Sequence, residues 1–368
     1  MNLKNVPSTL LSLFKKVSMA KKKKKLLPKN FEELLEKDIL SELIAVFDGC
    51  EIDARGGYGK QTALAFDNCP DELAKWLVEN GADLQATDTW GNTPLHERSR
   101  SFWGRINILI DLGADINSTS SSVGTPLHAA ADSHKVENAI LLVENGAKVD
   151  VVNAGQLTPL ELALRGCSNS DIESMAALAQ VLLEAGAKKT ARMKEFVEEI
   201  GKRFEFHRSN FNTDKIEATD AGLAKLYELF QVPPVPSRPV HNGISAITVK
   251  ATTWHKQHQE LWELLVPSSG PAETVQGELI RISGRIGDEL EGNGGVNWDK
   301  DYAKMADAFL QYIGTGQPVS ASELKEAATI VTGLKRKTGS TARMAELAVK
   351  WVIQNPSPIK MGGTDYMR

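Results

Sequence analysis

Thr93-Pro94-Leu95-His96 and Thr125-Pro126-Leu127-His128 decide how this chain is read. The same frame holds Thr62-Ala63-Leu64 upstream and Thr158-Pro159-Leu160-Glu161 downstream, with spacings of 31, 32 and 33 residues. A second marker keeps step, as Gly81-Ala82, Gly113-Ala114, Gly146-Ala147 and Gly186-Ala187, spaced by 32, 33 and 40. Between each threonine and the next Gly-Ala, apolar residues recur with the period of packed helices, as in Ala139-Ile140-Leu141-Leu142-Val143. A fixed period of this length marks a stack of like units, each too small to bury its apolar face alone.

The motif has a physical logic. Thr93, Thr125 and Thr158 can cap a helix N-terminus, and Pro94, Pro126 and Pro159 suit a first turn where no amide hydrogen is needed. The glycines would stop the second helix in the left-handed conformation that costs glycine least. His96 and His128 read as structural groups bonded to backbone of a neighbouring unit, because buried polar groups need partners.

These residues resemble the ankyrin family, whose repeat of about 33 residues carries the T-P-L-H-x-A signature. The resemblance covers about residues 30–190. It implies an all-α solenoid of helix-turn-helix repeats joined by short hairpin fingers, about five in all. The first is expected to be a cap that opens at Asn30, with Glu33 placed for a capping box. The Thr62 repeat is two residues short, and the last repeat carries an insertion through Gly166-Cys167-Ser168-Asn169-Ser170.

The resemblance also implies a partner face made of finger tips and inner helices. The tips are expected to present Tyr58, Asp88, Thr89, Trp90, Ser121, Ser122 and Asn153, with Trp90 as an aromatic anchor. Outward positions on the inner helices are expected at Phe66, Asp67, Glu97, Arg100, Ala129, Asp132, Ser133 and Arg165. Glu97-Arg98-Ser99-Arg100-Ser101-Phe102-Trp103 departs furthest from the repeat pattern, and Arg98 stands where a small buried alanine is usual, which favours a partner contact there.

Charge divides the chain into three parts. Residues 1–30 hold nine lysines and no acid, 31–190 hold 12 basic and 25 acidic residues, and 191–368 hold 22 of each. The acidic middle repels phosphate backbones and attracts a basic protein, so the expected partner is protein and not nucleic acid. Lys21–Lys25 has no interleaved aromatics and reads as part of a solvated, disordered tail over 1–29; Met19 just before it offers a second translation start. No apolar stretch reaches the roughly 18 residues of a membrane span. Three scattered cysteines, Cys50, Cys69 and Cys167, suit a reducing cytoplasm.

Residues 191–231 read as capping helices, and Val232-Pro233-Pro234-Val235-Pro236-Ser237-Arg238-Pro239 opens a stiff linker over 232–250. Residues 251–368 read as an α-helical bundle, with helices expected at 252–266, 270–291, 299–313, 320–337 and 340–354. Ser320 with Glu323 marks a capping box. His255, His258 and Glu263 lack a further ligand for a metal site and read as a solvated helix face. The acidic, glycine-rich stretch from Asp288 to Asp301 lacks calcium-loop spacing and reads as a turn with Trp298 in the core. No catalytic, metal or cofactor residue is assigned.

The primary expectation is therefore a non-enzymatic binding protein that engages a basic protein partner, of which an immunity or neutralising protein is the concrete form. The alternatives are a translocated effector acting on host proteins, and an enzyme whose active site would involve His255, Glu278 or Asp299.

Overall fold

The computed structural model describes residues 22–367. Lys24–Leu26 (β1) lies parallel to Cys50–Gly56 (β2), which pairs antiparallel with Gln61–Thr62 (β3). Lys23 also donates to Phe47 O at 2.7 Å. The end of the lysine run is thus an ordered strand where the sequence suggests a disordered tail. Lys21 and the Met19 start lie outside the described residues.

The N-terminal helices are α1 (Phe31–Lys37), α2 (Leu40–Gly49), α3 (Asp71–Glu79), α4 (Pro94–Arg100) and α5 (Asn107–Asp111). They continue as α6 (Pro126–Asp132), α7 (Val136–Glu144), α8 (Pro159–Gly166) and α9 (Ile172–Glu184). Helices α4, α6 and α8 start as the motif requires, with proline in the first turn and threonine at the cap. Each closes a reciprocal capping box with the residue three positions on: His96, His128 or Glu161.

The histidines then reach the next repeat. Thr93 N–H donates to His96 Nδ1 at 3.3 Å, so Nε2 carries the hydrogen and donates to Gly124 O at 2.9 Å. His128 repeats this with Thr125 N–H at 3.0 Å and Leu157 O at 3.1 Å. Both links need a neutral ring, and burial pushes both imidazoles below their ordinary pKa. In the last repeat the Glu161 carboxylate accepts instead, from Thr190 Oγ1 at 2.8 Å.

Gly81, Gly113, Gly146 and Gly186 end their helices at φ between 91° and 94°. After α3, Ala82 N–H bonds Leu77 O and Gly81 N–H bonds Val78 O, the paired bonds of a glycine-terminated helix.

Two starts differ from expectation. Asn30 makes no side-chain cap bond, because its backbone (φ −92°, ψ 21°) lies outside the extended region a cap requires. The short second repeat has no first α-helix, only a single tight turn at Ala63–Ala65. Thr62 Oγ1 is buried there without a hydrogen-bond partner, because Ala65 occupies the place of His96 and His128.

Further helices are α10 (Ala191–His207), α11 (Thr213–Phe230), α12 (Trp254–Leu265), α13 (Val275–Gly287), α14 (Lys300–Ile313), α15 (Ala321–Leu334) and α16 (Thr341–Gln354). The described residues form two compact units, one of 22–200 with 217–234, the other of 201–216 with 235–367. The sequence reading instead keeps 191–231 with the repeats and treats 232–250 as a spacer. Residues 235–250 in fact pack within the second unit. Arg238 lies over the Phe206 ring at 4.2 Å and donates to the carbonyls of Glu263, Trp262 and Val266, capping the end of α12.

In that unit α13 is buried nearly all round. Leu279, Ile282 and Ile286 meet Met305 and Phe309 of α14, and Met344, Leu347 and Trp351 of α16, in one core. The chain after α16 returns along α13: Ile359 O accepts from Val275 N–H at 2.8 Å, and the Gln276 amide donates to Asn355 O and Ser357 O. The Ser320–Glu323 capping box is present, and Asp288–Gly292 forms one wide π-type turn after α13.

Candidate protein-binding face

The fingers are rigid because their polar side chains bond their own backbone. Asp88 Oδ1 accepts from Trp90 N–H and Asn92 N–H, both at 2.8 Å, and Asn153 Oδ1 accepts from Gly155 N–H and Leu157 N–H. Neighbouring fingers are tied together as well. Thr89 N–H bonds Gly59 O at 3.0 Å, and Ser121 Oγ donates to Asn92 Oδ1 at 2.5 Å.

This architecture sorts the expected contact residues. Tyr58, Thr89, Trp90, Ser122, Asp132 and Arg165 are exposed, while Glu97, Arg100, Ser133 and Asn153 are half-buried. Asp88, Ser121, Phe66 and Ala129 are buried, which corrects their expected outward placing. Asp88 and Ser121 are consumed by finger geometry, and Phe66 packs edge-on against Phe31 at 5.4 Å. Trp90, 50% exposed, lies against Tyr58, 94% exposed, with ring centres 5.7 Å apart.

Arg98 corrects another expectation. Its side chain is fully buried and points away from any partner. Nε donates to Leu64 O at 2.7 Å, one Nη to Arg105 O at 3.0 Å and the other to Cys69 O at 3.4 Å. The second repeat lacks its first α-helix, so Leu64 O and Cys69 O need a donor from elsewhere. Arg98 supplies it from the next repeat.

Beside this staple lies an open groove of about 400 Å³ lined by Glu32, Glu36, Asp67 and Glu97, against the single cation Arg100. Burial pushes the Glu97 carboxyl above its ordinary pKa, opposed by the Arg100 guanidinium 3.7 Å away. The Asn92 amide also donates to Glu97 at 2.6 Å. Such a surface is unlined by nucleophile–base pairs and is suited to holding cationic groups.

A family model described as "Ankyrin repeats (3 copies)" matches residues 62–153. This segment is an ankyrin-repeat array. A crystal structure of an ankyrin repeat domain from Acinetobacter baumannii AYE is 23% identical. The match covers 55% of this chain and 95% of that one, with a TM-score of 0.38. No curated protein matches this chain. The ankyrin array is a protein–protein interaction module, and its fold is typically non-enzymatic.

Outside the array, the residues of the enzyme alternative make the following contacts. Glu278 is fully buried and ion-paired to Arg281 at 2.6 Å, and it also accepts from Tyr366 Oη at 2.8 Å and Ala272 N–H at 2.8 Å. Asp299 caps α14, accepting from Asp301 N–H and Tyr302 N–H. His255 stacks on Trp254 at the start of α12. His258 is half-buried and not on a solvated face: Nε2 lies 2.9 Å from Ser283 Oγ, and burial lowers its pKa to about 4. Trp298 is partly buried against the core and stacks on Tyr302. Among the described residues no group of three or more His, Cys, Asp or Glu is placed to hold a metal ion, and no helix is long and apolar enough to cross a membrane.

The sequence reading places Asp67 outward and favours a contact in the stretch ending Phe102-Trp103, but it misses Glu32 and Glu36 and the convergence of the three acids. Glu32 and Glu36 lie on α1 and Asp67 in the next repeat, so only stacking reveals that they converge. The two aromatics were visible as adjacent large apolar residues beside Gly104, between two helices, where turn residues are usual.

Proposed function

We propose that the ankyrin array binds a basic protein segment along the groove bordered by Glu32, Glu36, Asp67 and Glu97. The observation that carries this reading is four carboxylates bordering one groove, with Arg100 as the one cation among the described residues that line it. Like charges held together in a fixed scaffold are uncomfortable alone and are relieved by a cation-bearing partner. The −13 balance of residues 31–190 extends that field and would speed the encounter. The simplest role for such a face is to occupy a cationic surface of one partner, as a neutralising protein would. Three buried free thiols favour a reducing cytoplasm as the place where it works.

The test is affinity capture on the full chain at moderate salt, comparing the wild type with Glu32→Lys/Glu97→Lys and with Trp90→Ala/Glu97→Lys. A basic protein retained by the wild type, released by added salt and lost on charge reversal supports the reading. Retention of acidic proteins, or capture indifferent to both double changes, overturns it.

A further inference from the structure

Three inter-helix turns of the N-terminal unit border one open depression of about 440 Å³. Asp38 comes from the turn between α1 and α2, Asp67 precedes α3, and Trp103 and Arg105 precede α5. The third turn is unlike the others. It presents Phe102 and Trp103, 72% and 73% exposed, with their rings edge-to-face at 4.8 Å. Lys135 lies over the Phe102 ring at 5.4 Å.

The turn is fixed at both ends. Ser101 Oγ donates to Asp67 Oδ2 at 2.5 Å and accepts from Trp103 N–H at 3.2 Å. The Asn138 amide donates to Arg98 O, Ser99 O and Ser101 O at 3.4, 3.0 and 3.1 Å. Buried Arg98 holds Arg105 O, and a Cβ on Gly104 would stand 2.2 Å from Arg98 O. Adjacent aromatics held in water by a preorganised turn lose little entropy on binding, which is the property of interface anchors.

We propose that the Phe102–Trp103 turn is the apolar anchor of a contact face that adjoins the acidic groove and shares Glu36 and Asp67 with it, occupied by an extended protein segment with a large apolar residue beside lysine or arginine. The proposal rests on the reading that the acidic array takes a basic partner, and it adds what else that partner must carry. The apolar requirement comes from the exposed ring pair. The basic requirement comes from Glu36, Asp38 and Asp67 beside Trp103, where the one cation, Arg105, already lies 3.9 Å from Asp71. A lysine or arginine seated there also meets the electron-rich Trp103 ring, whereas Phe102 already has Lys135 over its ring. The same carboxylates repel anionic lipid headgroups and phosphate backbones, which leaves a protein segment as occupant.

The experiment is selection of displayed short random peptides on the full chain, followed by binding of the enriched peptides to variants. Enriched peptides should place an aromatic or leucine side chain beside Lys or Arg. They should bind Phe102→Ala/Trp103→Ala at least about tenfold more weakly, with the thermal transition unchanged, and recover on Phe102→Leu/Trp103→Phe. Glu36→Lys/Asp38→Lys should weaken them too. Enrichment of acidic or wholly polar peptides, no enrichment, or aromatic-dependent binding to phosphatidylserine vesicles instead of peptides overturns the proposal. Peptides lost with Glu32→Lys/Glu97→Lys but indifferent to Phe102→Ala/Trp103→Ala would sink the anchor while leaving the acidic-groove reading standing.

Discussion

Each unit buries one arginine completely, and each satisfies it differently. Arg98 donates to carbonyl oxygens, the most distant belonging to Leu64, 34 residues back in the preceding repeat. Arg281 meets the carboxylate of Glu278 one helical turn away, and that carboxylate is completed by Tyr366, 88 residues further along the chain. The first arrangement passes hydrogen bonds from repeat to repeat, as do His96 and His128. The second is closed only when the C-terminal residues return to α13. A repeat array can therefore lose or vary one link and remain an array. A bundle sealed by a distant residue depends on that closure.

The largest expected effect tests the seal. Glu278→Ala leaves Arg281 buried without its carboxylate and should destabilise the C-terminal unit by about 3–5 kcal/mol. In calorimetry the transition of the C-terminal unit should fall while that of the repeats stays. Equal loss in both would break the distinction between the units. Arg98→Ala comes next, at about 2–4 kcal/mol, from lost charge-assisted bonds and the space left behind. The change is informative because alanine stands at the matching places, Ala130 and Ala163. If the variant is as stable as the wild type, Arg98 does not compensate for the short second repeat.

A smaller effect is expected from pH. His96 and His128 have pKa values pushed down by burial, so below about pH 6.5 the unfolded chain binds more protons than the folded one. Their contribution is complete above that pH and is lost as pH falls through it. His258, lowered to about 4, gives the C-terminal unit a slope of the same sign between pH 6.5 and about 4. Urea midpoints taken from pH 8 to pH 5 should show His96→Gln/His128→Gln flattening only the first slope, and His258→Gln only the second. A slope of opposite sign would mean that the imidazoles fold as cations. The smallest effect is expected at the defective repeat. Thr62→Val removes a hydroxyl that already lacks a partner and should change stability by no more than about 0.5 kcal/mol, whereas Thr93→Val removes a cap and should cost about 1–2 kcal/mol. Equal costs would mean that Thr62 has a partner after all.

Legibility in the sequence followed the range of the contacts. Capping boxes, prolines at first turns and terminal glycines act within one or two helical turns, so Thr93, Pro94 and Gly113 could be placed from spacing alone. The Asn30 cap failed because it depends on the chain's direction on entering the helix, which β1 and the Pro28 turn control. The spacing puts the finger residues in the right segments, yet Asp88 and Ser121, expected as contact groups, hold the finger itself. A short polar side chain in a turn can serve its own backbone or a partner, and only the folded backbone around it distinguishes these.

The sequence by itself determined the repeat array, its register and its acidic character, because every repeat makes the same contacts at the same separation and so leaves a period in the chain. Tertiary structure decided what no period records. It turned Arg98 inward, buried Phe66, brought Glu32, Asp67 and Glu97 to one groove, left Phe102 and Trp103 in water, and closed Tyr366 onto Glu278. Each of these depends on which distant group arrives at a site, and burial or charge at a residue is a property of that arrival, not of the residue alone.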